Sequence, residues 1–165
     1  MPENRDVSGF HGLVRKLAAQ EFISNLLARS LNPLDRFALW LSRGRTTATS
    51  LFTGLPLVWL VTTGAKSGEE RRTPLLGIFA GEKVILIASN FGNARHPAWY
   101  HNLRAHPHAR LEYDRRERKY LAREAQGPER ELYWQKAVEL YPGYAGYRQR
   151  AAPRSIPVVI LEPVD

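Results

Sequence analysis

Leu57 to Thr63 reads LVWLVTT, and the chain continues as GAKSGEERR (Gly64–Arg72), TPLLGIF (Thr73–Phe79), AGEK (Ala80–Lys83) and VILIA (Val84–Ala88). The β-branched and aromatic content predicts three strands, at Leu57–Thr63, Thr73–Phe79 and Val84–Ala88, the last two a hairpin about the Ala80–Lys83 turn. Toward the C-terminus, Pro97 opens a short helix through Ala105, because proline is tolerated in a first helical turn, and Pro107 ends it. Ala109–Tyr113 and Arg118–Ala125 alternate as a second hairpin around Asp114–Glu117. A second helix is expected over Pro128–Leu140, with Glu129 and Glu131 favourably placed near its positive end. Ile156–Leu161 (IPVVIL) supplies a sixth strand. Six strands without a βαβ rhythm predict an α+β chain built on a small antiparallel barrel rather than a doubly wound sheet.

Toward the N-terminus the period changes. Phe10, Leu13, Val14 and Leu17, then Phe22, Ile23, Leu26, Leu27 and Leu31, fall at helical spacing with Arg15, Lys16 and Arg29 between them. Asn32-Pro33 breaks that pattern, Leu34–Leu41 resumes it, and Ser42–Ser50 reads as a loop. The expected organisation is a helical, basic extension over 1–50 and a barrel domain over 51–165. The extension packs on the barrel in the favoured reading. Peripheral contact with anionic lipid and pairing in a homodimer are the other roles its basic and apolar faces suit.

The 165 residues fit one domain, and a 44% hydrophobic share supplies its core. The absence of cysteine excludes disulfides, thiolate metal sites and a cysteine nucleophile, and fits a cytoplasmic setting. No apolar run approaches the ~20 residues that span a bilayer. A formal net charge of +8 favours an anionic partner, and all but five of the 24 basic residues are Arg, whose fork suits phosphate and carboxylate. These basic residues are scattered among Glu with no recognised module, which argues against nucleic acid.

Three stretches could carry chemistry. Thr62–Gly68 (TTGAKSG) follows a strand, and its glycines, hydroxyls and Lys66 predict a turn whose amides face an anion. It is not a Walker A loop, since Ala65 and Leu60 stand where that motif needs glycine. Arg71 and Arg72 leave the loop on opposite faces of the next strand, so only one of them can reach a ligand the loop holds. Ser89–Pro97 (SNFGNARHP) joins a strand to a helix and leaves amides available to a polar ring system. Tyr141–Tyr147 (YPGYAGY) spaces three phenols around a glycine-rich turn, able to present hydroxyls to one pocket. His96, His101, His106 and His108 lack metal-site spacing, so no metal is expected.

Taken together, TTGAKSGEERRTPL (Thr62–Leu75), ASNFGNARHPAWYHNL (Ala88–Leu103), YPGYAGY (Tyr141–Tyr147) and IPVVILEP (Ile156–Pro163) resemble the deazaflavin-dependent nitroreductase family from about Leu34 onward. The resemblance implies a split β-barrel of the flavin-binding type, found largely in actinobacteria, that binds the deazaflavin coenzyme F-420. It implies that Lys66, Ser67 and Arg71 meet the coenzyme's acidic tail, that Thr73 and Pro74 line its ribityl chain, and that Ser89, Asn90, Phe91 and Gly92, with Pro97, Ala98 and Trp99, surround its ring. Ser89, Tyr141, Tyr144 and Tyr147 then stand nearest the chemistry, with Tyr144 the first choice of proton donor. Two positions depart from the pattern: Ala65 stands where relatives often carry Arg, and Asn90 where nitroimidazole-reducing members carry Lys, which points away from that substrate.

The implied activity is hydride transfer from reduced F-420 to an electron-poor small molecule such as an enone, quinone or nitroaromatic. A non-enzymatic deazaflavin carrier and an FMN-binding protein on the same barrel are the rival readings.

Overall fold

A computed structural model of the chain describes residues 55–164, and the expected helical extension over 1–50 lies outside them. The elements run β1 (Leu57–Thr63), β2 (Glu70–Leu76), β3 (Ile78–Ala80), β4 (Lys83–Ile87), a 3-10 turn (Asn90–Gly92), α1 (Ala98–Ala105), β5 (His108–Tyr113), β6 (Arg116–Glu124), α2 (Gly127–Leu140), α3 (Gly143–Ala151) and β7 (Val158–Pro163). All seven strands form one antiparallel sheet in the order β2-β1-β5-β6-β7-β4-β3.

The α+β class and the curled antiparallel sheet agree with expectation, but there are seven strands where the sequence indicated six. The stretch Thr73–Phe79 is not one strand. It breaks at Gly77, whose amide makes the last bond in the β1–β2 register, to the Pro56 carbonyl at 3.0 Å, before the chain crosses to β4. A Cβ at Gly77 would lie 3.0 Å from Val58 Cγ1 and 3.3 Å from Val84 Cγ1, so a side chain there crowds both valines where the backbone passes between them. The two halves pair at opposite edges of the sheet, β2 with β1 and β3 with β4. One bent strand therefore supplies both edges, and the sheet curls until they meet at Gly77.

The curl produces two cores. Val58, Leu60, Leu86, Leu111, Val159 and Leu161 face inward with Trp99 and Leu103 of α1, whereas Ile85, Ile87, Val158 and Ile160 pack against Trp134, Ala137, Tyr144 and Tyr147 of α2 and α3. β4 and β7 alternate between the two cores and are buried on both faces. This is why VILIA and VVIL read as unbroken apolar runs. β5 and β6 instead show one wet face, and their hairpin closes on Asp114 and Arg115, both left-handed (φ 49° and 61°), a two-residue turn in place of the expected four.

The last helix departs from the sequence reading as well. Tyr141–Tyr147 is no glycine-rich turn; Gly143 onward is helical as α3. Gly143 is needed because a Cβ there would lie 2.4 Å from the Tyr141 ring.

Topology also dictates where a site can form. β1, β4 and β6 run one way, and β2, β3, β5 and β7 the other. The β1–β2 loop, the β4–α1 loop, the start of α2 and the α3–β7 connection therefore gather at one pole, and the opposite pole carries the two tight turns.

Candidate functional site

At the loop-bearing pole, β1 ends in a compact turn. Gly64 N donates to Glu69 O at 2.8 Å and Gly68 N to Gly64 O at 2.9 Å, with Gly68 left-handed at φ 69°. Lys66 and Ser67 stand exposed at its tip. The turn is anchored from α1: Asn102 Oδ1 accepts from Ala65 N at 3.0 Å, and its Nδ2 donates to Thr62 Oγ1 at 3.1 Å. Asn102 is buried, and sequence reasoning did not find it; a polar residue on the buried face of a predicted helix was the available signal.

Register decides which arginine serves this turn. Arg71 pairs with Thr62 and Thr73 with Leu60, so both share the inner face of the sheet. Arg72 and Pro74 take the other face, where the Arg72 guanidinium lies 4.2 Å over Trp59 and pairs with Glu112. The structure thus groups Lys66, Ser67, Arg71 and Thr73 and turns Pro74 away. The Arg71 guanidinium bonds Glu69 Oε2 at 2.7 Å and reaches Ser67 Oγ at 3.5 Å. Both partners of that ion pair are more than half exposed, 55% and 67%. A carboxylate of the chain itself thus meets Arg71, and an exposed pair of this kind is readily exchanged for another anion. The donor set therefore fits a polyanion.

The second loop follows β4. Asn90, Phe91 and Gly92 are consecutively left-handed (φ 48°, 55° and 79°), and Gly92 N closes the turn on Ser89 O at 3.0 Å. Asn90 Nδ2 donates to Arg95 O at 2.9 Å and Asn93 Nδ2 to Asn90 O at 2.7 Å. Gly92 sits against α3: a Cβ would lie 3.0 Å from the Tyr147 carbonyl and 2.9 Å from Arg150 Cβ. Ser89 is nearly buried, whereas Phe91 is 39% exposed with its ring edge-on to Tyr147 at 6.2 Å. Pro97 caps α1, and Ala98 is exposed beside it, but Trp99 is buried in the inner core and offers a ligand only its backbone.

Arg154, from the α3–β7 connection, clasps this loop. It donates to Ser89 O at 2.7 Å, Ala88 O at 3.3 Å and Asn93 O at 3.0 Å, and contacts His96 Nδ1 at 3.1 Å. A guanidinium only donates, so His96 Nδ1 accepts and its proton resides on Nε2. Burial, then the Arg154 charge, hold His96 below its usual range. Sequence reasoning missed this arginine, because nothing local marks a residue whose partners lie 58 to 66 positions away.

The three phenols come together as expected, with ring centroids 5.2 to 6.0 Å apart, but mostly inside the outer core. Tyr144 is 5% and Tyr147 4% exposed, and burial raises the phenol pKa of both. Tyr144 therefore does not fit the proton-donor role the sequence reading gave it. Tyr141 is half-buried, and its hydroxyl lies 3.1 Å from that of Tyr147. Among the described residues no group of three or more His, Asp or Glu is placed to hold a metal, and no helix is long and apolar enough to cross a membrane.

A groove of about 250 Å³ crosses β1, β5 and β6 on the face opposite the inner core, and none of the candidate residues lines it. Its Arg110 is already met by Glu70 at 2.6 Å and Glu117 at 3.2 Å.

Residues 36–163 match the family model described as F420H(2)-dependent quinone reductase. The chain belongs to that family. An F420H(2)-dependent quinone reductase of Mycobacterium tuberculosis is 35% identical over 109 residues, covering 64% of this chain and 72% of that protein. A solved F420-H2 dependent reductase is 42% identical with a TM-score of 0.60, over 65% of this chain and 94% of its own. A further solved chain, described as a domain-swapped dimer, has the same identity and TM-score over 80% of its length. This member of the quinone reductase family is thus an F-420-dependent oxidoreductase, which decides between F-420 and FMN in favour of the deazaflavin.

Proposed function

We propose that this quinone reductase relative passes a hydride from reduced F-420 to a quinone-type ring bound beside the Ser89–His96 loop. The observation that carries the reading is the shared pole: an exposed Lys66/Ser67/Arg71 cluster and the Ser89 loop flank the same helix, α1. Lys66, Ser67 and Arg71 hold the acidic tail, and Thr73, on the same face as Arg71, lines the ribityl chain. Ser89, Asn90, Phe91 and Gly92, with Pro97 and Ala98, border the ring. When bound, reduced F-420 supplies a hydride from its C5.

The chain's own part is positioning and exclusion of water. Phe91 shields the rim. The Tyr141 hydroxyl, backed by Tyr147, orients the acceptor carbonyl and supplies the proton that must follow the hydride. Pairing of two copies belongs to the same proposal, supported by the dimeric relative, as does the division into an extension over 1–50 and a coenzyme-binding unit over 51–165.

The test is anaerobic mixing of the full chain with reduced F-420 and a quinone panel, following reappearance of the oxidised chromophore. Saturable, protein-dependent reoxidation is expected. Tight coenzyme binding with reoxidation no faster than in solution would identify a carrier and overturn the proposal. Light scattering on the same sample reports the assembly.

A further inference from the structure

We infer that Arg154 is a positioning residue for the proposed reaction: its guanidinium holds the Ala88–His96 backbone in the shape that receives the coenzyme's ring. The inference rests on the functional reading above and extends it to a residue outside all four sequence motifs.

The loop does not keep its shape unaided. Asn90 and Phe91 are both left-handed (φ 48° and 55°); asparagine tolerates that region, but a bulky residue such as Phe91 seldom adopts it unless its surroundings impose it. Within the loop, Gly92 N closes one turn on Ser89 O and Asn93 N another on Asn90 O, while the Ala88, Ser89 and Asn93 carbonyls accept from outside it, Ser89 O for the second time. Those three carbonyls are the ones Arg154 takes, at 3.3, 2.7 and 3.0 Å, with His96 Nδ1 as its fourth partner at 3.1 Å.

Four of the five N–H donors of the fork are thereby engaged in one loop, a planar pattern that a lysine cannot reproduce. Among the described residues Arg154 has no carboxylate partner, so its charge is directed at the carbonyl ends beneath Ser89 rather than at a surface ion pair. The fork is also too fully engaged to serve as an anion donor.

The experiment compares the full chain with Arg154→Gln and Arg154→Lys, and with Arg123→Gln as control. Arg123 makes three hydrogen bonds, to Glu129 and Glu162, but away from the loop. Two measurements are made: amide hydrogen exchange at Gly92 and Asn93 without coenzyme, and the Kd for oxidised F-420 by fluorescence titration.

Arg154→Gln is expected to speed exchange at both amides and weaken coenzyme binding, each by about tenfold or more, as loss of charge-assisted hydrogen bonds requires. Arg154→Lys should fall between the wild type and Arg154→Gln. Arg123→Gln should move the thermal midpoint and neither of the other readouts. Wild-type exchange and Kd in folded Arg154→Gln overturn the inference. If that variant does not fold, the same two results in Arg154→Lys overturn it. Should the wild type fail to bind F-420, the functional reading falls, and the exchange measurement alone still decides whether Arg154 shapes the loop.

Discussion

Replacing Glu69 with glutamine should tighten coenzyme binding, although it removes a hydrogen-bonding partner from the site. Glu69 contributes to the β1–β2 turn through its backbone, its carbonyl accepting from Gly64 N and its amide donating to Ser67 Oγ at 3.3 Å. Its side chain does something else: it neutralises Arg71 at 2.7 Å. A coenzyme tail must displace that carboxylate, so part of what Arg71 gains is spent on the exchange. An exposed pair of this kind, converted to an equilibrium constant, corresponds to an affinity gain of about 1.5- to 5-fold when the competitor is neutral. Lys66 has no ion-pair partner among the described residues, so Lys66→Gln carries no such offset and should weaken binding roughly tenfold to a hundredfold. The assay is fluorescence titration of oxidised F-420 at low and physiological salt, where the gain from Glu69→Gln should shrink as ionic strength rises. Weaker binding by Glu69→Gln would refute the reasoning, because it would mean that the carboxylate organises the site and does not compete for it.

Gly92→Ala places a side chain at φ 79° and a Cβ 3.0 Å from the Tyr147 carbonyl. The expected loss is about 2–5 kcal/mol, a fall in Tm of roughly 5–20 °C, and an unchanged midpoint by calorimetry would contradict the packing described. Gly77→Ala should cost about 1–3 kcal/mol by overpacking against Val58 and Val84, read from denaturant unfolding, with neutrality as the refuting result. For His96 the folded value is lowered, so below about pH 6.5 the unfolded chain binds a proton that the folded chain refuses. Stability is therefore full above that pH and is lost as pH falls toward the folded value. His96→Asn, whose amide oxygen can still accept from Arg154, should lose less between pH 7.5 and 5.5 than the wild type, and equal losses would oppose this account.

Much of this architecture was legible in the residues, for identifiable reasons. β1, α1, α2 and the Ala109–Ala125 hairpin each carry a strong local signal, a β-branched run, a proline-opened helix or alternation, bounded by Gly, Pro or charge, so local pattern and tertiary structure agree. The break at Gly77 was not legible. LLGIF looks continuous, and the need for glycine comes from Val58 and Val84, which approach only in three dimensions. α3 was hidden by Gly143 and Gly146, poor helix formers whose helix is kept by packing rather than propensity.

The site shows the same division. Lys66, Ser67, Arg71 and the Ser89 loop could be picked out because each lies within one short motif. Arg154 could not, since its partners are distant in sequence, and Asn102 left only the faint signal of a polar residue on the buried face of a helix. Tyr144 shows the converse error: a residue inside a functional-looking motif whose ring serves the core.

The separation of the two poles has a practical consequence. The Asp114–Arg115 turn is exposed and lies at the end of the sheet away from Lys66 and Ser89. A short peptide handle grafted there would let the molecule be tethered to an electrode or a bead with its working end outward, and its turnover measured on a solid support.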